Sequence, residues 1–93
     1  MGQQVAIYFG AKWCGACKIM ERTTLTDADV KASLSKFRFL KLDIEEEPDA
    51  AATLRIVGVP TLVILGSGGQ ENYRYVGPLK SNELLLVLEE FAH

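Results

Sequence analysis

The sequence predicts an α/β sandwich, a mixed sheet with helices on both faces, in the element order β-α-β-α-β-β-α. Three observations carry that expectation. Two short runs, Val5-Ala6-Ile7-Tyr8-Phe9 and Thr61-Leu62-Val63-Ile64-Leu65, are apolar on both faces, as strands buried in the middle of a sheet are. Stretches of helical spacing separate the strand-like runs, the pattern of crossover connections. A glycine-rich turn, Gly66-Ser67-Gly68-Gly69, then folds one strand back on the next as a hairpin.

Element by element, the first strand breaks at Gly10-Ala11-Lys12-Trp13, and helical spacing begins at Cys14. Ala16, Cys17, Met20 and Thr24 share one face there, while Lys18, Glu21 and Arg22 can face water. Thr23-Thr24-Leu25-Thr26 is poor helix material, and Asp27 is a good cap for a fresh start, so two consecutive helical pieces are expected. Phe37, Phe39, Leu40, Leu42 and Ile44 make a second strand. Glu45-Glu46-Glu47-Pro48 suits a helix entrance, where negative charge meets the positive end of the dipole. That helix is expected to run through Ala50, Ala51, Leu54 and Ile56 until Gly58 stops it. After the third strand and the turn, Asn72-Tyr73-Arg74-Tyr75-Val76 alternates as an edge strand and ends at Gly77-Pro78. Ser81 or Asn82 caps a last helix with Leu84, Leu85, Leu88 and Phe91 as its buried stripe. The helical crossovers imply right-handed parallel connections among the first three strands.

Residues 1–93 are expected to form a single domain, with roughly 60–70% of the unfolded surface buried at this size. A content of 48% hydrophobic and 24% charged residues argues against disorder. A net charge of −2 without a long basic block leaves no electrostatic footprint for nucleic acid. The longest mainly apolar stretch, residues 56–66, falls short of the roughly 20 residues a membrane helix needs. Met1-Gly2-Gln3-Gln4 lacks the basic-then-apolar pattern of a secretory signal.

Only two cysteines are present, Cys14 and Cys17, where a buried strand gives way to a helix. Unpaired amides of a first helical turn and the helix dipole both favour an anion, so a sulfur there should ionise more readily than a free thiol. Two intervening residues put the second sulfur one turn along, within reach of an intramolecular disulfide. Cys14 is then the exposed, attacking sulfur, and Cys17 the deeper, resolving one. A structural zinc site needs four ligands, and this chain offers the pair plus His93 at its end. A purely structural disulfide closing so short a loop would constrain the unfolded chain little. Two unreactive packed thiols would not need the strand-to-helix junction. Redox chemistry fits the motif and its setting best.

Trp13-Cys14-Gly15-Ala16-Cys17-Lys18, Gly58-Val59-Pro60-Thr61 and Tyr75-Val76-Gly77 together resemble the thioredoxin superfamily, and the resemblance covers nearly the whole chain. The first motif, with Glu21, Thr24, Asp27 and Val30, is similar to the C-terminal, extracytoplasmic domain of DsbD-type thiol:disulfide interchange proteins; residues 41–77 are equally similar to thioredoxin. The resemblance implies a thioredoxin-like three-layer sandwich. It implies Cys14 and Cys17 as catalytic residues, and Pro60 as a cis-proline beside them. Trp13, Gly15, Ala16, Val59, Pro60 and Gly77 then form the substrate-binding surface, with the Val59 backbone free to pair with an extended substrate.

Three departures accompany the match. The buried acid that many thioredoxins carry six residues ahead of the first cysteine is Tyr8 here, which makes Glu21, four residues after Cys17, the candidate proton acceptor. Ala16 replaces the usual proline and is expected to offer its amide to the Cys14 sulfur. The family's first strand and helix have no counterpart before Val5, as in a domain cut from a longer chain or a compact version.

The expected function is thiol–disulfide exchange of the Cys14–Cys17 pair with protein substrates, as a reductant, with a separate electron-donor protein and no cofactor or metal beyond the dithiol. A monomer without a membrane segment or nucleic-acid partner is expected, located as a periplasmic domain of a membrane interchange protein or as a cytoplasmic thioredoxin. The alternative is a non-catalytic binding or assembly module on the same fold.

Overall fold

In the computed structural model, which describes residues 2–92, the chain runs β1 (Val5–Gly10), α1 (Gly15–Thr23), α2 (Ala28–Leu34), β2 (Arg38–Asp43), α3 (Pro48–Thr53), β3 (Thr61–Leu65), β4 (Glu71–Val76) and α4 (Ser81–Phe91). The strands form a mixed four-stranded sheet in the order β2-β1-β3-β4. The two runs that are apolar on both faces, β1 and β3, take its centre. Their alternate residues feed two cores. Ala6, Tyr8, Leu62 and Ile64 pack with Met20, Val30, Leu34, Leu84 and Leu88 from α1, α2 and α4. Ile7, Phe9 and Val63 pack on the other face with Leu40, Leu42, Ala50, Ala51 and Leu54.

The break between the first two helices falls where the threonines predict it. Thr23 and Thr26 hydroxyls donate back to the carbonyls of Ile19 and Arg22, which competes with continuation of the helix. The Asp27 carboxylate then accepts from the Asp29 and Val30 amides and starts α2.

Strand direction corrects the sequence expectation. β1 and β2 are parallel, but β3 is antiparallel to β1, with Thr61 beside Phe9 and Leu65 beside Val5. The reason is length. α3 has six residues, about 9 Å of rise, and cannot carry the chain back along strands of about 20 Å. The segment from β2 to β3 therefore stays at one end of the sheet and re-enters where it left. α3 also ends earlier than expected. Arg55 takes a left-handed conformation, φ 54°, and the Ile56 amide closes the helix end on the Ala51 carbonyl. Arg74, held by Glu71, then donates to the freed Leu54 and Arg55 carbonyls. The last helix starts one residue before the expected caps: Lys80 is the N-cap, and its amide donates to the Glu83 carboxylate at 2.8 Å. The hairpin turn closes with Gly66 N–H donating to Gln70 and with Gly69 at φ 88°, where a side chain would be strained.

Candidate active site

Both sulfurs sit at the end of the sheet where β1 stops and β3 begins. Cys14 is the N-cap of α1, with extended φ/ψ of −88° and 110°, and its Sγ accepts a hydrogen bond from the Cys17 amide at 3.1 Å. A sulfur thus fills the place that an oxygen of Ser or Asp usually takes. No acidic residue stands in the first turn of α1, so the Cys14 sulfur is the side-chain group that meets the positive end of the dipole. In the disulfide the capping amide is that of Cys17.

A disulfide joins Cys14 and Cys17, whose Cα atoms are 5.2 Å apart. Cys17 is fully buried and Cys14 is 7% exposed. The order of access is the expected one, but Cys14 is far less open than "exposed" implied. Ala11 is buried with the two sulfurs, and Ile44 and Val59 pack against them.

One flank of the disulfide is apolar and open. The Val59–Pro60 peptide is cis, and the Val59 carbonyl oxygen lies 3.8 Å from Cys14 Sγ. Trp13 is 65% exposed, which rules out a core role for its ring. Gly15 and Ala16 are exposed, and Val59 and Gly77 are partly so. Gly77, at φ 131°, donates its amide to the Pro60 carbonyl at 2.8 Å, so it both requires glycine and ties β4 to the cis turn. Pro60 itself is buried, so it shapes the surface from below instead of lining it as expected. Two exposed apolar residues near this flank in the chain were outside the substrate surface that the sequence implies. Val57 is 88% exposed two positions before Val59, and half-exposed Val76 packs so close to Gly58 that a side chain there would press on it at 3.2 Å.

The other flank is polar and packed. Tyr8, fully buried in β1, donates its hydroxyl to Glu21 Oε2 at 2.9 Å, and the Tyr8 phenolic oxygen lies 3.4 Å from the Cys17 carbonyl. Lys41 Nζ approaches Glu21 Oε1 at 3.3 Å. Lys41 reaches it because Tyr8 and Lys41 are register partners on β1 and β2. Burial, then the hydrogen bond and the negative charge of Glu21, push the Tyr8 phenol well above the usual tyrosine range. Lys41 and the register that places it were missed in the sequence, where nothing but the strand alignment signals them.

Among the described residues no group of three or more His, Cys, Asp or Glu side chains could hold a metal ion, and His93 lies outside them. No described helix is long and apolar enough to cross a membrane.

The Thioredoxin family pattern matches residues 2–90. A thioredoxin of Mycoplasma pneumoniae is 32% identical over 87 residues, covering 94% of this chain and 81% of that protein. The solution structure of a thioredoxin from Thermus thermophilus superposes with a TM-score of 0.82 at 26% identity, over 95% of this chain and 72% of the other. The reduced C-terminal domain of Neisseria meningitidis DsbD gives 0.79 at 26% identity, over 96% of this chain and 81% of the other.

Proposed function

Because the chain belongs to the thioredoxin family and is a thiol–disulfide oxidoreductase with an active-site Cys14–Cys17 pair, we propose that it reduces disulfides of protein substrates, Cys14 attacking and Cys17 resolving. The observation that carries this assignment is the capping of α1 by Cys14 Sγ together with its greater access. The amide and dipole that hold this sulfur in the disulfide would stabilise it as a thiolate in the dithiol.

In the reduced protein the Cys14 thiolate attacks a substrate disulfide. The Cys14–substrate bond forms, and the second substrate sulfur leaves as a thiolate. Cys17 gives its proton to Glu21 and attacks Cys14 Sγ. The intramolecular disulfide forms, and the first substrate sulfur departs and takes up a proton. Two electrons have passed to the substrate. A separate electron-donor protein restores the dithiol by the reverse exchange. Trp13, Gly15, Ala16, Val59 and Gly77 line the substrate surface, and buried Pro60 holds the Val59 backbone towards it. An extended substrate strand could pair there. The protein acts as a monomer, with no resident cofactor beyond the dithiol.

Insulin reduction by dithiothreitol tests the assignment. Acceleration by the wild type and background rate with Cys14→Ser are expected; full activity of that variant would refute the role of Cys14. A reduction potential near about −270 mV is expected for a reductant, and one near about −120 mV would reverse the proposed direction.

A further inference from the structure

We infer that Tyr8 is a positioning residue, whose hydroxyl holds the Glu21 carboxylate on the Cys17 turn of α1 and so sets the proton transfer of the resolving step. The inference rests on the reading of Glu21 as the acceptor of the Cys17 proton. A phenol in the middle of a sheet needs a partner for its O–H, and Tyr8 points that group at Glu21 Oε2 while its oxygen stays near the Cys17 carbonyl. The second carboxylate oxygen faces Lys41. Two adjacent strands therefore grip one side chain of α1, each by one oxygen.

The backbone leaves room for this grip. A Cβ on Gly10 would stand 2.9 Å from Glu21 Oε2, 3.0 Å from the Tyr8 ring and 3.1 Å from its hydroxyl. Burial keeps the phenol protonated, so Tyr8 donates throughout the working range and is no base itself. The remaining charges around Glu21 are Lys18 on α1, Asp43 on β2, and Lys12 paired with Glu46 at 3.0 Å. They line an open groove on the outer side of Glu21, through which a proton can pass to water.

The test is the rate at which Cys17 resolves a preformed Cys14 mixed disulfide, followed across pH for the wild type, Tyr8→Phe, Glu21→Gln and the double variant. Tyr8→Phe should slow resolution about tenfold at neutral pH, the effect of losing one hydrogen bond to a charged group. It should displace the midpoint of the pH profile. The double variant should be no slower than Glu21→Gln. A Tyr8→Phe profile superimposable on the wild type, beside a slowed Glu21→Gln, would overturn the role of Tyr8 and leave that of Glu21 standing. A wild-type profile for Glu21→Gln would overturn both. Should Tyr8→Phe fail to fold, Gly10→Ala crowds the same contact without removing a donor. A displaced profile for that variant supports the inference, and an unmoved one overturns it.

Discussion

On one side of the Cys14–Cys17 bridge lie Trp13, Val57, Val76 and the cis turn at Val59, open to solvent and apolar; on the other lie Tyr8, Glu21 and Lys41, packed and hydrogen-bonded. The same two sulfurs face both. Among the described residues no hydrogen bond ties a charged group to the Cys14 sulfur, so the open side can accept varied apolar contacts through their area alone. The packed side has fixed partners at fixed distances, as a proton transfer demands. On the proposed roles, recognition and proton handling fall to different materials, and changes on one side should leave the other side's readout alone.

The sharpest way to break this division is Cys17→Ala, which removes the point where the sides meet. Multiple turnover should fall to background while a Cys14 mixed disulfide accumulates and is seen by mass spectrometry; sustained turnover would sink the two-sulfur division. Trp13→Ala comes next. Removing an exposed ring from the open side should lower kcat/KM for a protein disulfide about tenfold, an effect of about 1–2 kcal/mol of lost apolar contact, with the pH profile of resolution unmoved. A shifted profile would show that the two sides are coupled. The last test concerns stability in alkali. The Tyr8 phenol is raised above its ordinary value of 10.0, so its stabilisation is complete below pH 10.0 and is lost as pH rises towards the folded value. Each unit in that window should cost the wild type up to about 1.4 kcal/mol, and Tyr8→Phe should lose less. Parallel alkaline melting curves would contradict the buried phenol.

Much of this was readable from residue order. The two runs apolar on both faces announced the central strands, and Asp27 after the threonine cluster announced the helix break, because capping and periodicity are local. What the sequence hid was relational. A strand's apolar pattern reads the same in either direction, so the antiparallel course of β3 followed only from the shortness of α3. Arg55 in a left-handed conformation meets Arg74, 19 residues later, a contact that residue order does not announce. Of the site, Cys14, Cys17 and the cis Pro60 were legible as motifs, while Lys41 entered only through its register with Tyr8. Pro60 was assigned to the surface because the motif names neighbours of the sulfur without saying which lie underneath.

The course of β3 has one more consequence. Since β3 leaves from the disulfide end and β4 returns to it, the bend at Ser67 and Gly68 sits at the opposite pole, about 17 Å of strand away. Both residues are exposed. A fluorophore, a surface linker or a grafted peptide placed there would orient the molecule with its reactive face outward and leave the electron-transfer path untouched.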